Sequence, residues 1–400
     1  MKIQWQCVNY YPSSGGIVSY VYNVSKELIE NGHNPTVICA QLKKSLPKNE
    51  THENINIIRH PYYKIHSLPF NILAPIYYEI RLEKFLRKNS IDYDVIFPNF
   101  FLEAFASCNV FRKKKPIIFI VHAVASKLIK LYNKYPNADD FLKSYVRNLY
   151  QQYYLMEKKA VKESDKIVTL SEMRAREICD LYNIDKEKVI VIPPGINIKK
   201  FSPSIKDTNL IKELNLPKNC KIILTVCRLS FEKNIDTLIK AFNKISTENV
   251  VLIIVGKGDQ KKYLESQVKK LNLTKNIIFT GERKDIERFY SIADLFVLAS
   301  IYEGFGLVYL EAMASGVPCI GSKPDYPRII VGSNEVIEDG INGYLADPFS
   351  LDSLAEKIDT VLMDDELKNK LGRNARQVCE KKFKWEKTAG TLIRVSEKIM

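Results

Sequence analysis

The chain lacks paired cysteines. Its eight cysteines, at positions 7, 39, 108, 179, 220, 227, 319 and 379, are dispersed and form no CxxC. That excludes a zinc ribbon and a disulfide framework. Cys39 in "TVICA" and Cys319 in "VPCIG" sit in apolar runs, as buried thiols of a reducing compartment do, so a cytoplasmic location is expected. No run approaches the roughly 18 apolar residues of a membrane-spanning helix. The opening "MKIQWQCVNYY" has no basic-plus-apolar leader and reads as a short strand. There is no repeat at a solenoid period and no low-complexity segment.

What is present is ordinary globular material: 400 residues, 46% hydrophobic and 26% charged. That length exceeds one core and predicts two domains of about 200 residues each. The net charge of +14 is uneven. Residues 1–200 carry 30 Lys and Arg against 19 Asp and Glu; residues 201–400 carry 30 against 27. Such an excess in the first half suits an anionic partner or surface, and equally a solvated basic face.

The pattern alternates strand and helix. "IQWQCV" reads as a buried strand. A helix follows over "GGIVSYVYNVSKELIENGH", with Ile17, Tyr20, Val21, Val24 and Leu28 on one face and Gly32 as its stop. "PTVICA", "DVIFP", "PIIFIVHA", "KIVTLS" and "VIVIPPG" read as further strands, with helical stretches between them such as 139–163. The Pro/Gly-punctuated "PPGINIKKFSP" at 193–203 reads as a linker. The alternation then restarts with "KIILTVCR", "VVLIIVG", "NIIFTG", "DLFVLAS" and "PCIGS". The expected fold is α/β, with two doubly wound units over 1–195 and 196–375 and a cleft between them. A helical tail at 376–400 completes the chain, interrupted around Phe383 and Trp385. Ligands of such sheets bind beyond the carboxyl ends of the strands.

Five stretches carry chemistry. Gly15 and Gly16 follow the first strand and open a helix whose N–H groups can meet an anion; they can equally serve only a tight turn. The second strand ends in Cys39-Ala40-Gln41, without the acid that would hold an adenosine ribose, so a dinucleotide site is disfavoured. In "CRLSFEKN", Arg228 and Lys233 can both face the cleft and together suit a diphosphate. Gly256 in "VGKGD" and Arg283 and Lys284 in "TGERKD" stand at successive strand ends, as walls for a base or as plain turns. In "EGFGLVYLE", Gly304, Phe305 and Gly306 offer N–H groups at a helix start, between Glu303 and Glu311. The two acids are not on one helix face, and no histidine or third carboxylate stands near, so no metal is expected. His122 ends a strand of the first half, as a structural histidine or as one facing the cleft.

Together, "SSGG" near the N-terminus, R-x4-K at 228–233, G-x-G at 256–258 and E-x7-E at 303–311 resemble the retaining nucleotide-sugar glycosyltransferases of family four. "VIPPGIN" (191–197) and "DGINGYL" (339–345) fit as well, and the resemblance runs in order along nearly the whole chain. It implies the GT-B fold of two facing Rossmann-like domains, with the last segment crossing back to the first. Arg228 and Lys233 would bind the diphosphate, and Gly15 and Gly16 would close that side. Glu311 would take the ribose hydroxyls. Glu303 with the backbone of Gly304, Phe305, Gly306 and Leu307 would hold the donor sugar, and His122 would reach that sugar from the other domain. Arg283 and Lys284 would contact the base, with Gly256 among the donor-binding residues. Around 322–340 the chain departs from the family pattern, and no site residue is carried over there. "LASIYEG" also lacks the proline often found before this loop.

The implied reaction moves a sugar from a nucleoside-diphosphate sugar, uridine by default, to a hydroxyl of a glycan or lipid-linked acceptor in cell-surface glycan synthesis. Catalysis would rest on Glu303, His122, Arg228 and Lys233, without metal or cofactor. Basic residues among Tyr, Phe, Leu and Ile at 62–88 and 127–159 suit peripheral contact with an anionic membrane, or amphipathic core helices with solvated faces. A sugar-nucleotide epimerase of the same fold would need no acceptor. A basic nucleic-acid-binding protein would need aromatic platforms or a recognised motif, and the sequence has neither.

Overall fold

The computed structural model describes residues 1–61, 74–89, 92–132 and 140–400. The stretches 62–88 and 127–159 fall partly outside them. The chain divides into two units, Met1–Pro194 with Trp385–Met400, and Gly195–Lys384. One crossing thus lies inside 193–203 and the other just before Trp385.

The first unit runs β1 (Lys2–Cys7), α1 (Gly16–Glu30), β2 (Asn34–Gln41), β3 (Asn49–His52), β4 (Ile55–Pro61), α2 (Ala74–Lys88), β5 (Val95–Pro98), α3 (Phe101–Phe111), β6 (Ile118–Val121), α4 (Ala125–Tyr132), α5 (Asp140–Glu163), β7 (Lys166–Thr169), α6 (Glu172–Tyr182) and β8 (Val189–Val191). Strand order is β3-β4-β2-β1-β5, with β6-β7-β8 alongside through an Ile96–Ile117 bridge. Among the described residues of this unit only β3 is antiparallel, and strand alternation did not reveal it. Its turn uses Glu53 and Asn54, both at positive φ, instead of the Asn-Gly pair that announces such turns. Helix α1 buries Tyr20, Val21, Val24 and Leu28 on one face, as its 3.6-residue period requires.

The second unit runs α7 (Thr208–Glu213), β9 (Lys221–Val226), α8 (Ile235–Phe242), β10 (Val250–Val255), α9 (Lys261–Lys270), β11 (Ile277–Gly281), α10 (Ile286–Ile292), β12 (Leu295–Leu298), α11 (Leu307–Ala314), β13 (Cys319–Ser322), β14 (Gly343–Ala346), α12 (Leu351–Met363) and α13 (Asp365–Lys382). Its six strands are all parallel, in the order β11-β10-β9-β12-β13-β14. Strand β10 reads "VVLIIV" and is buried at every residue, because helices cover both faces of a parallel sheet. Ile223, Leu252, Ile254, Leu295 and Val297 meet Leu238, Ile239 and Ile358 in one core.

The last helix, α14 (Trp385–Glu397), belongs to the first unit. The Trp385 ring stands edge-on to Tyr20 of α1 at 5.7 Å, and the Thr388 hydroxyl donates to the Pro193 carbonyl at 2.8 Å.

Candidate functional site

In the second sheet the chain winds one way from β9 and the other way from β12, and these two strands are neighbours. A crevice must open where the connections diverge, at the carboxyl ends of β9 and β12. Arg228 and Lys233 follow β9, and Glu303 follows β12. The two loops are tied together: the Ile301 N–H donates to the Glu232 carbonyl at 2.9 Å.

Lys233 donates from Nζ to Glu303 Oε2, and the Gly304 N–H donates to Oε1 at 3.2 Å. The two side chains are only 14% and 19% exposed. Burial alone would push the ammonium pKa down, but the Glu303 carboxylate outweighs it and holds Lys233 above its ordinary value. The segment from 323 to 334 contributes here through its backbone. The Glu303 N–H donates to the Ile330 carbonyl at 2.9 Å, and the Ile330 N–H to the Ile301 carbonyl at 3.1 Å. The stretch that departs from the family pattern is therefore the brace behind Glu303.

Arg228 is held along one edge. Nη2 donates to Glu232 Oε1 at 2.8 Å and Nε to Ser230 Oγ at 3.3 Å, while its side chain stays 62% exposed. Burial raises the Glu232 pKa, but hydrogen bonds from Ser230 (2.6 Å) and Arg228 and the charge of Lys233 carry it below its usual range. Gly256 and Gly258 pack onto this loop. A Cβ on Gly256 would lie 1.9 Å from the Cys227 carbonyl oxygen, and one on Gly258 would lie 2.1 Å from that of Leu229. The two glycines are required by this backbone approach, which sets the course of the Arg228 loop.

Gly306 caps α11 in a left-handed conformation, without a capping side chain. The start of that helix, after Gly304 and Phe305, turns its N-terminal dipole toward oxygen-rich or anionic groups. Leu307 is its first residue, and Phe305 is buried edge-on against Phe383 at 5.8 Å. Farther along, Glu311 Oε2 accepts from the Tyr290 hydroxyl at 2.9 Å. Burial pushes the Glu311 carboxyl up to about 7, against the pull of that hydrogen bond.

Arg283 is engaged elsewhere. It grips Asp285 through Nε and Nη2 (2.9 and 2.7 Å) and Glu213 through Nη1 (2.7 Å), in a network that Arg288 extends to Asp207. Lys284 beside it is exposed. Among the described residues, no three His, Cys, Asp or Glu side chains gather as a metal site.

Gly15, Gly16 and His122 stand in the first unit. Gly15 has φ +141° at the start of α1, and nothing lies within 4 Å of where a side chain would begin. Asn99 orients His122. Its Nδ2 donates to the Phe97 and Gln6 carbonyls (3.0 and 3.4 Å), which turns Oδ1 toward His122 Nε2 at 2.9 Å. Nε2 therefore carries the proton and Nδ1 is the acceptor. Burial lowers the imidazole pKa to about 3, so the ring is neutral at neutral pH.

Sequence reading missed the groups that hold these side chains. Glu232 had a signal, an acid four residues after Arg228. Tyr290 had none, since it reaches Glu311 from another helix. Asn99 stood in "FPNF", a polar residue just after a strand.

The match to known proteins follows the same division. Residues 14–200 match the family model described as Glycosyltransferase Family 4, and residues 206–378 match Glycosyl transferases group 1. An uncharacterised glycosyltransferase of Methanocaldococcus jannaschii is 29% identical over 99% of this chain and 97% of its own length. An Escherichia coli UDP-Gal:alpha-D-GlcNAc-diphosphoundecaprenol alpha-1,3-galactosyltransferase is 33% identical over 50% of this chain and 52% of its own. Among solved structures, sucrose-phosphate synthase of Thermosynechococcus elongatus superposes with a TM-score of 0.81 at 22% identity, covering 100% of this chain and 98% of that one. With two α/β units of parallel sheets and family matches spanning both, the chain belongs to the glycosyltransferases of the GT-B fold.

Proposed function

We propose that the protein is a retaining hexosyltransferase that moves a sugar from a UDP-sugar to a hydroxyl of a glycan or lipid-linked acceptor. The observation that carries this is the Lys233–Glu303 pair at the β9/β12 crevice, with Arg228 held by Glu232 in the same loop and the start of α11 following Glu303. Sugar transfer expels a nucleoside diphosphate as a polyanion while the sugar turns oxocarbenium-like, and fixed cations stabilise that leaving charge. Arg228 and Lys233 supply two such cations, so the reaction needs no metal. In this reading the acceptor oxygen bonds to the anomeric carbon from the face the diphosphate leaves. The carbon–phosphate-oxygen bond breaks, and a donor phosphate oxygen takes the acceptor proton. Glu303 orients sugar hydroxyls and Glu311 accepts from the ribose. The Escherichia coli relative, named for a UDP-Gal donor and a diphosphoundecaprenol acceptor, supports uridine and a lipid-linked acceptor, and with it peripheral membrane contact.

A thermal-shift screen against UDP-, GDP- and ADP-sugars, followed by mass spectrometry of the products, tests this. The expected result is stabilisation by a UDP-sugar and transfer that persists in a chelator. Transfer abolished by the chelator and restored by a divalent ion would overturn the metal-free assignment. Turnover of the donor to another sugar nucleotide without any acceptor would instead establish the epimerase.

Glu311 adds a pH dependence. Its folded carboxyl lies near 7, above the unfolded value of 4.5, so its contribution to stability is present at low pH and is lost as pH rises through 7. Ribose binding runs the other way, because the carboxylate accepts two hydroxyl donors and the acid only poorly. Donor KM should fall as pH rises toward 7, changing about fivefold over the unit below it and levelling above, and Glu311→Gln should flatten that slope. A KM that is level in the parent enzyme removes Glu311 from the ribose.

A further inference from the structure

Helix α14 does more than return the chain to the first unit. Its Thr388 sits at the Pro193 carbonyl, just past the end of β8, and from there to Arg394 the helix advances about 9 Å. Its last turns and the residues after it share a cavity of about 330 Å³ with Lys166, the first residue of β7, and Ile190, the middle residue of β8. The cavity therefore lies toward the amino end of β7, whereas His122 follows the carboxyl end of β6. Ile190, Val395 and Ile399 give it apolar walls, and Lys166, Arg394 and Lys398 give it three cations. Among the described residues no carboxylate lines it, and none of the three cations has a carboxylate partner. Lys166 donates to the Glu187 carbonyl at 3.0 Å, and Arg394 Nη2 to Thr391 Oγ1 at 2.9 Å. The acids next to them in the chain do not answer them. Asp165 Oδ2 accepts the Ile117 N–H at 2.8 Å, and Glu397 is exposed outside the lining.

Like charges around one concave space repel one another, and apolar walls beside them gain nothing from water. A ligand that is anionic at one end and apolar at the other answers both. We infer that this cavity binds a small phosphate monoester carried on an apolar body of about one ring. At about 30 Å³ per water-sized group, the space holds about eleven such groups, which suits a ring with its phosphate and is too small for a nucleotide-sugar. A phosphate monoester brings close to two negative charges at neutral pH and three strong acceptor oxygens, one for each cation here. The site goes beyond the sugar-transfer reading and stands without it, since none of its residues belongs to the β9/β12 crevice.

Titration calorimetry with phenyl phosphate tests the inference, with UDP in excess so that Arg228 and Lys233 are already occupied. Phenyl phosphate should bind at a single site. Inorganic phosphate and benzyl alcohol, each carrying one half of the recognition, should bind about tenfold more weakly. Arg394→Ala and Lys398→Ala should each weaken phenyl phosphate on the order of tenfold. Ile399→Ser, which removes apolar wall while keeping the charge, should weaken it several-fold. These three positions are exposed or half-buried, and an unchanged Tm shows that each variant remains folded. No binding of phenyl phosphate, inorganic phosphate binding as tightly as the ester, or cavity variants that bind as the parent does would each overturn the assignment. So would binding lost only in Arg228→Ala, which places the probe at the donor site. Failure of UDP to bind the parent protein would count against the donor reading alone.

Discussion

Lys233→Ala is expected to lower kcat by about 10²- to 10³-fold, the loss seen when one fixed group that stabilises developing charge is removed. Two effects combine. The departing diphosphate loses a cation that is already in place and already largely dehydrated. Glu303 loses the partner that holds its Oε2, leaving the Gly304 N–H on the other oxygen. A carboxylate only 19% exposed does not stay in place without its cation, so sugar orientation suffers as well. Glu303→Gln should cost nearly as much, because an amide cannot pair with Lys233 as a charge. The double variant separates the two roles. If both residues act through their pair, its loss falls well short of the product of the single losses. Steady-state kinetics with a UDP-sugar donor measure this, with Tm as the folding control. A Lys233→Ala enzyme that keeps kcat within a few-fold removes Lys233 from the leaving group. A Glu303→Gln enzyme with near-full transfer would refute the sugar-orienting role.

Much of this was legible because doubly wound sheets write themselves into sequence. Buried parallel strands such as "VVLIIV" are unbroken apolar runs, and their carboxyl ends announce where a ligand binds. Arg228, Lys233 and Glu303 were readable for that reason: each stands a few residues after such a run. The sequence could not reveal pairing across it. Nothing in "EGFGLVYLE" shows that Glu303 is claimed by a lysine 70 residues earlier, or that Glu311 is held by Tyr290. Nor does "GERKD" show that Arg283 is committed to Asp285 and Glu213, since the partner in α7 is 70 residues away. The segment from 323 to 334 carried no readable signal, because its contribution is a row of backbone hydrogen bonds, which any sequence can make. Strand β3 was missed for a related reason: its turn depends on two residues adopting positive φ without glycine.

Arg228→Ala should cost as much turnover as Lys233→Ala, about 10²- to 10³-fold in kcat, and leave acceptor KM unchanged. Its stability cost should be smaller. The Arg228 side chain is 62% exposed and fills no core, whereas Lys233 is enclosed. Arg228→Lys should recover only part of the loss. Glu232 and Ser230 fix the planar guanidinium along its Nε–Nη2 edge, and an ammonium on a flexible stem cannot take both partners while also meeting a diphosphate. Glu232 then acts as a positioning residue, even though an acid beside a phosphate site opposes binding by its charge. If it acts through Arg228, Glu232→Gln weakens UDP binding and kcat together in the parent and adds nothing in the Arg228→Ala background. If its charge mainly repels the donor, Glu232→Gln tightens UDP binding instead. Titration calorimetry with UDP decides between these signs. An Arg228→Ala enzyme with unchanged turnover removes the guanidinium from the leaving group and leaves Lys233 as its only fixed cation.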